Sequence, residues 1–198
     1  MGEKKVHVRA LCDYPSYEKN KTDDAPLVKD LHALFDEADI LVAHNGDRFD
    51  RRKANARFLG CGLGPPSSYK TVDTLKTARR QFMLTSNKLG DLGDFLGLGS
   101  KIPTIGFKLW RRCIDGDPEA WALMKRYNKR DVSLLKGVYE KLLPWIPNHP
   151  DMRIYSGKAS CRNCGSHHIQ MRGEDRTLTT LFQRYKCTSC GSWGRVPK

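Results

Sequence analysis

The sequence predicts an α/β protein: a mixed sheet with flanking helices over residues 1–146, a proline-containing linker at 147–157, and a small metal-closed appendage at 158–198. Three observations carry this. The apolar run Ile40-Leu41-Val42-Ala43 stops at His44-Asn45-Gly46 and gives way to Phe49, Ala54, Phe58 and Leu59 at helical spacing, which reads as a strand-loop-helix unit. A long helical pattern opens at Asp117-Pro118 and ends at Pro144. Four of the seven cysteines form two Cys-x-x-Cys pairs with 22 residues between them.

Taken in order, "KKVHVRALCDY" alternates and predicts a first strand with Val6, Val8, Ala10 and Cys12 on one face. Asp24 is placed to cap a helix with Pro26 in its first turn and Leu27, Leu31, Leu34 and Phe35 as its apolar stripe. The strand at Ile40 and a helix from about Phe49 to Leu59 follow, closed by Gly60, and "GLGPPSS" makes a turn-rich connector. "YKTVDTL" predicts a short strand running into a basic helix through Arg80, and "SNKLGDLGDFLGLGSK" a short helix with Leu89, Leu92, Phe95 and Leu96 inward. The long helix, at 1.5 Å per residue, spans roughly 40 Å. "PWIPNHPDMR" then carries three prolines in seven residues and reads as a stiff linker.

A formal net charge of +13, from 35 Lys and Arg against 22 Asp and Glu, favours a polyanionic partner such as nucleic acid. From Asp151 onward nine basic residues face three acidic ones, so the tail is the denser basic region. No run of about 18 apolar residues suggests a membrane span. The opening "MGEKKVHVRA" lacks a secretory h-region, and an intracellular location, cytoplasmic or nucleoid-associated, is expected.

Ligands of open α/β sheets sit beyond the carboxyl ends of the strands, so Asn45 and Asp50 are the first candidates for chemistry. Tyr127 and Asp131, four apart in "YNKRD", share a helix face, where a phenol can orient a water beside a metal-holding carboxylate. "HNGDRFD" and "YNKRD" resemble the second and third motifs of the ribonuclease H-like (DnaQ-like) 3′-to-5′ exonucleases. The tyrosine matches the DEDDy branch, similar to the proofreading domain of family B DNA polymerases. "TVDTL" and "SNKLGDLGDFLGLGSK" extend the resemblance over roughly Val6 to Leu143.

The resemblance implies a ribonuclease H-like sheet and two catalytic divalent cations, Mg²⁺ or Mn²⁺, on a single-stranded 3′ end of nucleic acid. It implies that Asp131 ligates the metal generating the hydroxide, that Tyr127 holds the attacking water, and that Asp50 serves the second metal. Asn45 and Phe49 then shape the pocket for the 3′ end, and His44 serves as a loop hydrogen-bonder. Asp47 and Asp73 match no catalytic position. One departure stands out: the family's first motif, Asp-x-Glu on the first strand, is absent, and Asp117-Pro118-Glu119 reads as a helix cap. Three explanations stay open: an upstream portion is missing, another polypeptide supplies the N-terminal strands, or the chain is a nuclease remnant that binds nucleic acid without cutting it.

Cys161 with Cys164 and Cys187 with Cys190 form pairs that each sit before a glycine, "CRNCG" and "CTSCG", turns that bring four thiolates to one point and predict a zinc ribbon closed by a structural four-cysteine site. Disulfides are the alternative, disfavoured in an intracellular protein. Phe182, Tyr185 and Trp193 interleave with Arg172, Arg176, Arg184 and Arg195, a composition suited to single-stranded nucleic acid. A ribbon-centred adaptor that docks a partner protein is the competing use.

Overall fold

The structure, a computed structural model, describes residues 5–104, 106–157 and 159–198. Its parallel sheet pairs β1 (Ile40–Ala43) with β2 (Lys70–Asp73), in the register Ile40 to Lys70 through Ala43 to Asp73. Around it lie α1 (Ala25–Glu37), α2 (Asp50–Gly60), α3 (Thr74–Gln81), α4 (Leu89–Phe95), α5 (Phe107–Asp115) and α6 (Pro118–Leu142). A short α7 (Arg153–Ser156) precedes an antiparallel sheet ordered β3 (Ile169–Arg176), β4 (Leu181–Cys187), β5 (Trp193–Pro197). The α/β class, with helices flanking a sheet and an appendage that gathers four cysteines, is therefore as the sequence predicts.

α6 is the spine. Asp117 caps it by accepting hydrogen bonds from the Glu119 and Ala120 amides, so the Asp-Pro-Glu segment is a helix start. Its buried residues pack successively against α5 (Leu109 and Cys113 with Ala120 and Met124) and against α3 and α4 (Ala78 and Leu92 with Val138 and Leu142). A separate cluster joins α1 to α2 through Val28, Ala54 and Phe58.

Several expectations change. Residues 5–10 keep the alternation, with Val6 and Val8 half-buried and Ala10 buried, but form no ladder. The Ala10 amide instead donates to Asp13, whose carboxylate pairs with Lys125, and a 3-10 turn at Leu11–Asp13 follows. Asp24 does not cap α1: its carboxylate pairs with Arg57, and Asp23 accepts from the Ala25 amide. Phe95 is exposed, and α5 had no counterpart in the sequence reading. β1 is half-buried along its whole length, because among the described residues only β2 pairs with it.

The proline segment is packed rather than a bare spacer. His149 is 2% exposed, its Nε2 accepting from the Tyr139 hydroxyl at 2.8 Å while Nδ1 donates to the Pro150 carbonyl. Val72, Tyr139, Leu143 and Ile146 form a cluster onto which Cys164 and Cys190 pack, and the Asn163 side-chain amide donates to the Leu143 carbonyl at 2.9 Å. The appendage thus seats on the end of α6 and on the sheet.

Candidate functional site

The end of β1 turns into a loop that its own residues force. Gly46 is buried, and a Cβ there would lie 2.3 Å from the Ala43 Cβ. Asn45 takes a positive φ of 66°, a region Asn tolerates better than most side chains. Asp73, buried at the end of β2, accepts hydrogen bonds from the amides of Asn45 (2.9 Å) and Leu75 (3.0 Å), so one carboxylate fixes the loop and caps α3. His44 is held at both nitrogens, Nε2 donating to the Asn87 carbonyl and Nδ1 accepting from Thr74. Burial lowers its pKa, the Asn87 carbonyl opposing, which leaves this imidazole a loop brace.

Asp50 opens α2. Although the residue is exposed overall, desolvation holds its carboxyl above the ordinary range, and the charge of Asp73 adds to the shift. Phe49 beside it is exposed, with the Lys53 ammonium 6.0 Å from its ring.

From α6, Tyr127 and Asp131 meet a residue the sequence reading missed. Lys101 donates to Asp131 Oδ2 at 2.9 Å and to the Tyr127 hydroxyl at 3.4 Å, and its Nζ stands 5.4 Å from the Tyr127 ring centroid. Burial works against the charge on Lys101, but the hydrogen bond and charge of Asp131 outweigh it and hold the ammonium above its ordinary range. Asp131 Oδ1 is buried and has no hydrogen-bond partner, the state of an atom shaped to receive a cation or a donor. Asn45, Lys101 and Asp131 share a cleft of about 600 Å³ with Arg79 and Lys88; Phe49, Asp50 and Tyr127 do not line it. Such a cleft can draw in an anionic phosphodiester and offer it a carboxylate.

The fit to a pair of catalytic cations is partial. The free Oδ1 of Asp131 and the desolvated carboxyl of Asp50 suit such ions, but among the described residues no group of three acidic or imidazole side chains draws together there. The cysteines do so completely. All four sulfurs lie within 4.8 Å of one another, with Cys161 to Cys190 and Cys164 to Cys187 both at 3.7 Å. A tetrahedron with Zn–S bonds of about 2.3 Å has edges of about 3.8 Å, whereas a disulfide needs about 2.05 Å. The two turns repeat one design: Gly165 and Gly191 take φ of 73° and 80°, and their amides donate to Cys161 and Cys187. Tyr185, which composition grouped with the nucleic-acid aromatics, is 1% exposed and receives the Arg162 amide on its hydroxyl, so it is core.

A model of the RNase H superfamily matches residues 5–143, and the chain belongs to that superfamily. Its α/β part is thus a nuclease-type domain concerned with nucleic acid, in a superfamily that uses divalent metals. No curated protein and no solved structure matches the chain.

Proposed function

We propose that the α/β domain is a metal-dependent 3′-to-5′ exonuclease of DEDDy type whose site needs further carboxylates before it turns over efficiently. The observation that carries the reading is the cleft beyond β1, where Asn45, Lys101 and Asp131 meet beneath a basic rim. Asp131 and Asp50 would hold Mg²⁺ or Mn²⁺, ions that stabilise the attacking and leaving oxygens of a phosphodiester. Tyr127 would hydrogen-bond the attacking water, Asn45 and Phe49 would receive a single-stranded 3′ end, and Lys101 holds the Asp131 carboxylate by a hydrogen bond. Two carboxylates only partly offset the repulsion between two divalent ions. The half-buried apolar β1 supports a remedy, because a strand pairing on its open edge could bring an Asp-x-Glu, from this polypeptide or another. In the same reading Cys161, Cys164, Cys187 and Cys190 hold a structural zinc in a ribbon.

A second reading, a nucleic-acid binder without catalysis, is favoured by the ammonium already on Asp131 Oδ2. One experiment separates them. A 5′-labelled single strand, DNA or RNA, is incubated with Mn²⁺ and either the chain as it stands or a chain with an Asp-x-Glu strand fused ahead of β1. The exonuclease reading expects slow shortening from the 3′ end, faster in the fusion and abolished by Asp131→Asn. Equal inactivity of both forms would support the binder.

A further inference from the structure

The sheet of the appendage has two unlike faces. Antiparallel pairing sets Arg184 opposite Arg195, Lys186 opposite Trp193 and Phe182 opposite Pro197, and paired residues share a face. The other face buries Tyr185 over Gly194, where a Cβ would lie 2.2 Å from the tyrosine ring. The exposed cations of β4 and β5, with Trp193, therefore share one side. That side does not face open water alone. It borders Trp145, on the 3-10 turn after α6, and encloses a groove of about 630 Å³.

Two indoles stand in this groove, Trp145 at 54% exposure and Trp193 at 53%. Both are oriented before any ligand arrives. Phe82 meets the Trp145 ring edge-on at 5.2 Å, and the Arg184 guanidinium lies 5.0 Å from the Trp193 centroid. Four arginines and one acid line the same groove. Arg153 and Arg195 are paired with Asp151 and Asp175, while Arg162 and Arg184 have no ion-pair partner among the described residues.

We infer that this groove binds an unpaired stretch of nucleic acid, bases stacking on Trp145 and Trp193 while Arg162 and Arg184 meet its phosphates. Exposed flat rings beside arginines without an ion-pair partner among the described residues fit a polymer that alternates flat rings with anions. An acidic peptide would satisfy the arginines and leave both indole faces uncovered. A duplex keeps its bases stacked on one another and cannot offer them. The inference does not depend on catalysis, since the groove lies apart from the carboxylate cleft and shares no lining residue with it.

The test is fluorescence anisotropy of labelled oligothymidine on the full Asp131→Asn chain, without added divalent cation so that failure of the exonuclease reading does not enter. Trp145→Ala and Trp193→Ala should each weaken binding about 5- to 150-fold, the usual effect of removing a stacking platform. Trp193→Phe should recover most of the loss. Arg184→Gln, at an exposed side chain, should lower the salt slope by about 0.7, and it carries the test if Trp193→Ala disturbs the sheet. A duplex of equal length should bind more weakly and respond to neither tryptophan. Wild-type affinity in the tryptophan and Arg184 variants, with zinc content intact, would overturn the inference. So would polyglutamate binding as tightly as the strand and being lost in the same variants, which would make the groove a protein-docking face.

Discussion

The four cysteines come from two turns of near-identical build, whereas the cleft takes Asn45 from a loop, Lys101 from a connector and Asp131 from α6. In the first case chain spacing alone fixes the geometry: a Cys-x-x-Cys-Gly turn aims two sulfurs at one point wherever it is placed. In the second the geometry exists only once β1, β2 and α6 have packed. The cysteine site is accordingly complete among the described residues, and the carboxylate site is a partial set. A local site can be gained or lost whole, but a distributed one can be left partly built.

The largest expected effect comes from breaking the local site. Metal binding is worth about 10 to 16 kcal/mol in small zinc-dependent folds, so Cys161→Ser should abolish zinc in elemental analysis and unfold the ribbon. Because Cys164 and Cys190 pack on Val72, Tyr139, Leu143 and Ile146, the α/β domain should melt at a lower temperature as well. An unchanged transition of that domain would show that the two regions are independent after all.

Next comes the distributed site. In an extended, active form Asp50→Asn should cost about 10²- to 10³-fold in the rate of nucleotide release, the scale of losing a charge-stabilising group. Tyr127→Phe should cost only about 2- to 10-fold, since a single hydrogen bond goes. Comparable losses for both would mean that the tyrosine does more than hold water.

Glycines sharpen the comparison at the level of packing. Gly46→Ala would press on the Ala43 Cβ at the end of β1 and Gly194→Ala on the Tyr185 ring. Each should destabilise by about 1 to 3 kcal/mol in urea unfolding, with zinc content falling only for the second.

The smallest effect is on pH. Burial holds His44 and His149 below the ordinary 6.5. Below about pH 6.5 the unfolded chain therefore binds more protons than the folded one, so stability is full above that value and falls as pH drops through it. Urea midpoints at neutral and mildly acidic pH should show this slope, and His149→Gln should flatten part of it.

Much of this was legible in the sequence where the signal is local. The cap at Asp117, the β1-loop-α2 unit and the cysteine turns each depend on residues within a few positions of one another. What escaped depends on partners far along the chain. Alternation at Val6, Val8 and Ala10 indicates a face but cannot supply a neighbouring strand. Lys101 lies in a connector without periodicity, and only the fold brings it to Asp131. Asp73 reads as a bystander to the motifs because its work, bonding the Asn45 amide, crosses from one strand end to another. Tyr185 falls among the nucleic-acid aromatics because composition does not distinguish the two faces of a sheet.

The seating of the cysteine turns on Ile146 and its neighbours also has a consequence for synthesis, where the chain emerges from the ribosome in order. Ile146 leaves 44 residues ahead of Cys190, an interval of about 2 to 9 s at ordinary elongation rates. During that time Val72, Tyr139, Leu143 and Ile146 have no cover on the side that Cys164 and Cys190 later occupy. The nascent nuclease-type domain therefore waits, with an apolar patch exposed, for a segment that on the proposed reading folds around a metal held by its four cysteines. Scarcity of zinc in the cell should then show itself first as chaperone capture of newly made chains, before any loss is visible in the mature protein.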